Sequence, residues 1–251
     1  MNNKKLSLVY LSLGCIIVAL IALFLVLFLR KNNASEEFEE LKSFVIVEKE
    51  GEAKTYSNEA VEKYVAWAYG DGWRLAEQNP YGDNGKTLKF VHDNGNYFHV
   101  ILGTSKSTKT VNGGMLPDDN HYHKTYADTY EYEILKCHQN EIAQLAKQLS
   151  LDADIIVEDR DPATNAYIVL NSVEYNRDYQ RIAKFIVEAS KTVDYNMNPD
   201  MRKSKMGLNV TVNLSNGDNE PYLTLAKNQD ERDKHDEEYY IAELKSQISE
   251  R

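Results

Sequence analysis

The sequence predicts an α+β fold: an N-terminal transmembrane helix, then a soluble domain in which antiparallel hairpins alternate with amphipathic helices. Three observations carry this reading. Asn-Gly pairs separate alternating apolar runs at DNGN and SNGD, the signature of tight hairpin turns. Apolar residues recur at i, i+3, i+4 and i+7 in several of the segments between them. The first apolar run has no such period and no charge from Leu6 to Leu29.

As a helix, residues 6–29 would span about 36 Å, enough to cross a hydrocarbon layer of about 30 Å. A cleaved signal peptide would show an apolar stretch of roughly 7 to 15 residues and a small-residue cleavage site. This run is longer and ends in Arg30-Lys31. A lipoprotein reading through Cys15 would leave most of the apolar run attached after cleavage. Lys4 and Lys5 precede the helix and Arg30 and Lys31 follow it, so the positive-inside rule favours a cytoplasmic N-terminus by a small margin. The expected organisation is a cytoplasmic tail (1–5), a transmembrane helix (6–29), an acidic stalk (30–43) and an extracytoplasmic α+β domain (44–251), with two lobes conceivable that meet near residue 150.

In the stalk, SEEFEELKS reads as a short helix with Phe38 and Leu41 spaced by three. FVIVEKEG then reads as a first strand ended by Gly51. Ser57 or Asn58 caps a helix carrying Val61, Tyr64, Val65 and Ala68, and Gly70 stops it. WRLAEQ, TLKFVH and YFHVIL read as strands, the last two flanking DNGN. A helix from about Asp128 to Leu149 carries Ile134, His138, Ile142, Leu145 and Leu149 on one stripe, with the lone Cys137 expected as a small core residue. DIIVED and AYIVLN form a strand pair, and a helix through Tyr179, Ile182, Ile186, Ala189 and Val193 follows. LNVTVNL and PYLTLA flank SNGD. A last helix starts near Glu237 with Tyr240, Ile241, Leu244 and Ile248 inward.

The chain has 29 Lys and Arg against 39 Asp and Glu, and all the acids lie beyond residue 34. So acidic a surface repels nucleic acid and anionic lipid. With Cys15 in the apolar run and Cys137 alone beyond it, a disulfide within the soluble domain is excluded, and with it a disulfide-stapled scaffold.

GDNGKT at 82–87 ends like a phosphate loop, but the first glycine of that pattern falls on Pro80 and Thr87 opens a strand. The pattern needs amides and a helix start converging on phosphate, so a plain turn is expected. DDNHYHK at 118–124 places His121 and His123 two apart beside Asp118 and Asp119, chemistry suited to a divalent metal. The ligand count is short of a closed site, and a solvated loop is the expectation. His92 and His99 flank the first hairpin and would face each other across strands. Asp152, Asp154 and the run Glu158 to Asp161 offer carboxylates that glycoside hydrolysis would need paired at a fixed spacing. No nucleophile-elbow, zincin, Cys-x-x-Cys or calcium-loop pattern is present.

The chain has 17 tyrosines. Tyr122, Tyr126, Tyr130 and Tyr132 crowd one acidic segment, and Tyr122, Tyr126 and Tyr130 are the candidate interaction surface, since tyrosine joins a large contact area to a polar tip. The competing expectation is that they fill a core.

The stretch EKYVAWAYGDGWRLAEQN followed by KTLKFVHDNGNYFHV resembles a pattern in small, uncharacterised, single-pass or secreted proteins of low-GC Gram-positive bacteria. The resemblance implies a cell-envelope setting and no particular activity. The functional expectation is therefore an envelope-anchored binding module held by residues 6–29, with a protein or cell-wall partner, no nucleic acid, no cofactor, no bound metal and no catalytic residue. The alternatives are an extracytoplasmic hydrolase using paired carboxylates and a metal-binding sensor domain.

Overall fold

The acidic stalk is helical as its spacing predicts, and it is packed onto the domain. Residues 31–43 are helical (α1), and Ala34, Phe38 and Leu41 fall on one stripe packed into the protein. The structure, a computed structural model, describes residues 20, 22, 26, 29, 31–111, 114–151, 155–159, 166–173, 175–193, 197–204, 209–214, 223–224 and 235–249. Among these no helix is long and apolar enough to cross a membrane, and the segment 6–29 lies mostly outside them. Residues 20, 22, 26 and 29 are helical.

After α1 come β1 (Glu48–Glu50), α2 (Asn58–Tyr69), β2 (Trp73–Tyr81), β3 (Gly85–His92), β4 (Tyr97–Val111) and β5 (Gly114–Asp128). The strands form one antiparallel sheet in the order β1-β5-β4-β3-β2. Helix α2 forms where its caps place it: the Ser57 hydroxyl accepts from the Ala60 amide, and Gly70 ends it at φ 83°. Its Val61, Tyr64, Val65 and Ala68 are buried as the spacing predicts. The DNGN turn closes as a hairpin with Gly95 at φ 91° and the His92 amide donating to the Asn96 carbonyl at 2.8 Å.

Period-2 alternation sorts the sheet. Leu88 and Phe90 on β3, Phe98, Val100 and Leu102 on β4, and Tyr122 and Asp128 on β5 are buried on the face toward α2. The 82–87 segment is the turn from β2 to β3, with Gly85 and Thr87 inside β3 and no helix after it.

The second half begins with α3 (Tyr130–Cys137) and α4 (Gln139–Gln148), two helices where one was expected, because the chain breaks at His138 (φ −94°, ψ 5°). Cys137 ends α3 at that break and is exposed, not core. Then follow β6 (Ile155–Asp159), β7 (Ala166–Val173), α5 (Tyr175–Thr192), α6 (Pro199–Ser204), β8 (Asn209–Leu214), β9 (Leu223–Thr224) and α7 (Glu237–Ser249). The order in this sheet is β6-β7-β8-β9, antiparallel except where β7 and β8 run parallel. A parallel neighbour needs a crossover of a dozen residues or so, and α5 supplies it, burying Ile182, Ala183, Phe185, Ile186 and Ala189. The SNGD turn between β8 and β9 lies outside the described residues.

Helix α3 touches β4 of the first sheet and β6 and β7 of the second. One cluster of buried side chains runs through both sheets and their helices, so the two halves share a core.

Candidate functional site

The tyrosines expected at a surface are mostly inside. Tyr122 and Tyr130 are buried, and Tyr126 is half-buried with its ring edge-on to Tyr64 at 5.0 Å. Tyr130 stacks on Tyr69 at 3.9 Å and meets Phe98 and Trp73 edge-on. The expectation of a Tyr122, Tyr126 and Tyr130 patch is therefore corrected. Tyr122 and Tyr126 belong to β5, and an even spacing on that strand turns both toward the helices. Among the described residues the exposed tyrosines are Tyr81 and Tyr97, 54% and 40% exposed, on the sheet's other face.

Beneath Tyr126 lies a buried carboxylate. Asp128 accepts from the Tyr69 hydroxyl at 2.8 Å and from the Tyr130 amide at 3.1 Å, at the start of α3. The Tyr126 hydroxyl lies within electrostatic reach without a well-aligned bond. Burial first, and the Asp128 charge second, push the Tyr69 and Tyr126 phenols well above their ordinary range. They stay neutral, and Asp128 serves as a structural acceptor.

DDNHYHK is strand, not loop: it lies within β5. His121 and His123 project from the face opposite α2, directly across from Glu50 and Glu48 of β1. The His123 Nε2 meets the Ser107 hydroxyl at 3.1 Å. Among the described residues no three His, Cys, Asp or Glu side chains gather as metal ligands. His92 and His99 do not face each other: His92 is opposite Trp73 and His99 opposite Lys89. Of the candidate hydrolytic carboxylates, Asp152, Asp154 and Asp161 lie outside the described residues. Glu158 and Asp159 lie on β6.

A well-buried polar assembly among the described residues fastens α1. Lys124 on β5 forms an ion pair with Glu37, with only 8% and 15% of the two side chains exposed. The other Glu37 oxygen accepts from the Ser57 hydroxyl at 2.6 Å and the Ser57 amide at 2.8 Å. Burial alone would raise the Glu37 pKa. The hydrogen bonds from Lys124 and Ser57, with the Lys124 charge, outweigh it and hold the carboxyl below its usual range. One turn on, Glu40 takes a hydrogen bond from Tyr56 at 3.1 Å and an ion pair from Lys49 at 3.0 Å. Lys42 lies 5.0 Å from the Phe38 ring centre and 5.7 Å from that of Trp67. Acids scattered along α1 gave this network no signal in the sequence, because their partners come from β1, β5 and the α2 cap.

Beyond this clamp the chain turns outward. Phe44 adopts φ 53°, a left-handed conformation that bulky side chains rarely take. Phe44, Val45, Ile46 and Val47 are 52%, 59%, 75% and 36% exposed. The expected first strand shrinks to Glu48–Glu50, because the four apolar residues before it make no ladder bonds with β5. No family model, curated protein or solved structure matches the chain.

Proposed function

We propose that the chain is a single-pass membrane protein whose residues beyond 30 form an extracytoplasmic binding module of the cell envelope. The observation that supports this most directly is the clamp on α1. Helix α1 is built into the domain through Glu37, Lys124 and Ser57, which supports a domain held in one pose at the end of such an anchor. A catalytic domain gains little from such fixing, whereas a module that meets a partner at a set distance from a membrane depends on it. The exposed run Phe44–Val47, directly after the clamp, is the surface this arrangement displays.

Topology is testable through Cys137, exposed at the end of α3, with Cys15 inside the apolar run. A membrane-impermeant maleimide added to intact cells should label Cys137, and a Cys137→Ser variant should take up none. Labelling that appears only after lysis would place the domain in the cytoplasm and overturn the reading.

A further inference from the structure

We propose that Phe44–Val47 and the adjoining β1 edge receive an extended segment of a partner protein, apolar beside the valines and isoleucine and bearing Lys or Arg beside Glu48 and Glu50. This rests on the anchored-module reading above and names its docking surface.

Two independent features mark the place. Four consecutive large apolar side chains are exposed, where isolated exposed apolar residues would be unremarkable. Phe44 also holds a left-handed backbone at the end of α1, where glycine is the usual occupant. Strain of this kind persists only when its surroundings enforce it, and it gathers at functional sites. Here it swings the chain away from β5 and into the open. β1 is the last strand of its sheet, so the incoming segment finds a strand edge directly beyond the apolar run. Strand addition supplies affinity from main-chain hydrogen bonds and selectivity from alternate side chains.

Three occupants compete, and the surroundings separate them. The apolar run exposes roughly 400 Å², about half of one partner's share in a standard interface. A second copy would therefore join through a patch typical of crystal contacts, and would set its own Glu48 and Glu50 against the same acids in a chain of net charge −10. A lipid surface is disfavoured twice. Phe44 lies 15 residues beyond Leu29, about 22 Å if that span is one helix, whereas the headgroup layer is only about 5 to 7 Å deep. The acids Glu48 and Glu50 beside the run also repel anionic lipid, whereas Glu39 and Glu52 are paired with Lys42 and Lys54. A basic, apolar strand meets both the charge and the main-chain edge.

The test uses the full chain in neutral-lipid nanodiscs and two labelled peptides, Lys-Val-Lys-Val-Ile-Val and Glu-Val-Glu-Val-Ile-Val, read by fluorescence anisotropy against empty discs. The basic peptide should bind saturably and the acidic one at least tenfold more weakly. Ile46→Asp should weaken the basic peptide tenfold or more, and Glu48→Lys with Glu50→Lys should invert the preference. Equal binding of both peptides, or no effect of Ile46→Asp, overturns the proposal. So would paired chains in wild-type discs that separate in Ile46→Asp, which would assign the patch to a second copy. Quenching of a dye on Val45→Cys, in a Cys137→Ser background, by a lipid-borne quencher would overturn it in favour of the bilayer. Peptide binding does not depend on which compartment holds the domain, so its failure leaves the Cys137 labelling result standing, and the converse holds.

Discussion

Changing Glu37 to Gln keeps the side chain's size and one acceptor oxygen but removes its charge. Lys124, whose side chain is 8% exposed, then faces a neutral amide, and the Ser57 amide and hydroxyl share a weaker acceptor. Removing one member of a buried ion pair costs about 3 to 5 kcal/mol. Because the Glu37 side chain is 15% exposed, the lower end applies. For a domain of this size each kcal/mol moves Tm by about 2 to 4 °C, so the expected drop is about 6 to 12 °C. Circular dichroism melts of the full chain in nanodiscs measure it, and hydrogen exchange should show residues 34–43 losing protection. The double variant Glu37→Gln/Lys124→Met should recover at least about 1.5 kcal/mol relative to the sum of the single changes. The pH dependence has a definite sign. A carboxyl with a lowered folded pKa contributes stability above its unfolded value, here near 4.5, and loses it as pH falls through the folded value. Wild type should therefore weaken more steeply than Glu37→Gln below about pH 4.5. A Tm unchanged within a degree, with α1 exchange also unchanged, would refute the clamp.

Two further substitutions test the core and the first hairpin. Gly95 sits at φ 91° with nothing within 4 Å of an added Cβ, so Gly95→Ala isolates backbone strain and should cost about 1 to 2 kcal/mol in a denaturant melt. Tyr69→Phe removes one hydrogen bond to the buried Asp128 and should cost about 1.5 to 3 kcal/mol, with a loss under about 0.5 kcal/mol showing that the carboxylate does not depend on it.

Elements with local punctuation were legible from the sequence. Ser57 and Gly70 bracket α2, and Asn94-Gly95 sets the register of β3 against β4. β5 was not legible, because its inward positions include Lys124 and Asp128, polar residues whose partners Glu37 and Tyr69 lie far away in sequence. Their burial breaks the apolar alternation by which a strand is recognised. The tyrosines misled for the same reason: once 118–124 reads as loop, nothing indicates that Tyr122 and Tyr126 share the covered face. Phe44–Val47 shows the converse failure. Its composition is that of a buried strand, and only the left-handed turn at Phe44 reveals that it stays outside. The α3–α4 break at His138 carries no Gly or Pro to announce it.

If residues 6–29 are the proposed anchor, a helix fixed to its domain at Glu37 leaves little slack between that anchor and the sheet. With the proposed anchor, any tilt or rotation of residues 6–29 is transmitted to β5 and the start of α2, where a loose tether would absorb it. A lean of about 20°, ordinary for a transmembrane helix, would carry a point about 20 Å from the pivot, roughly the radius of gyration of a chain this long, sideways by about 7 Å. Under that proposal, bilayer thickness and helix crowding would become determinants of where Phe44–Val47 points.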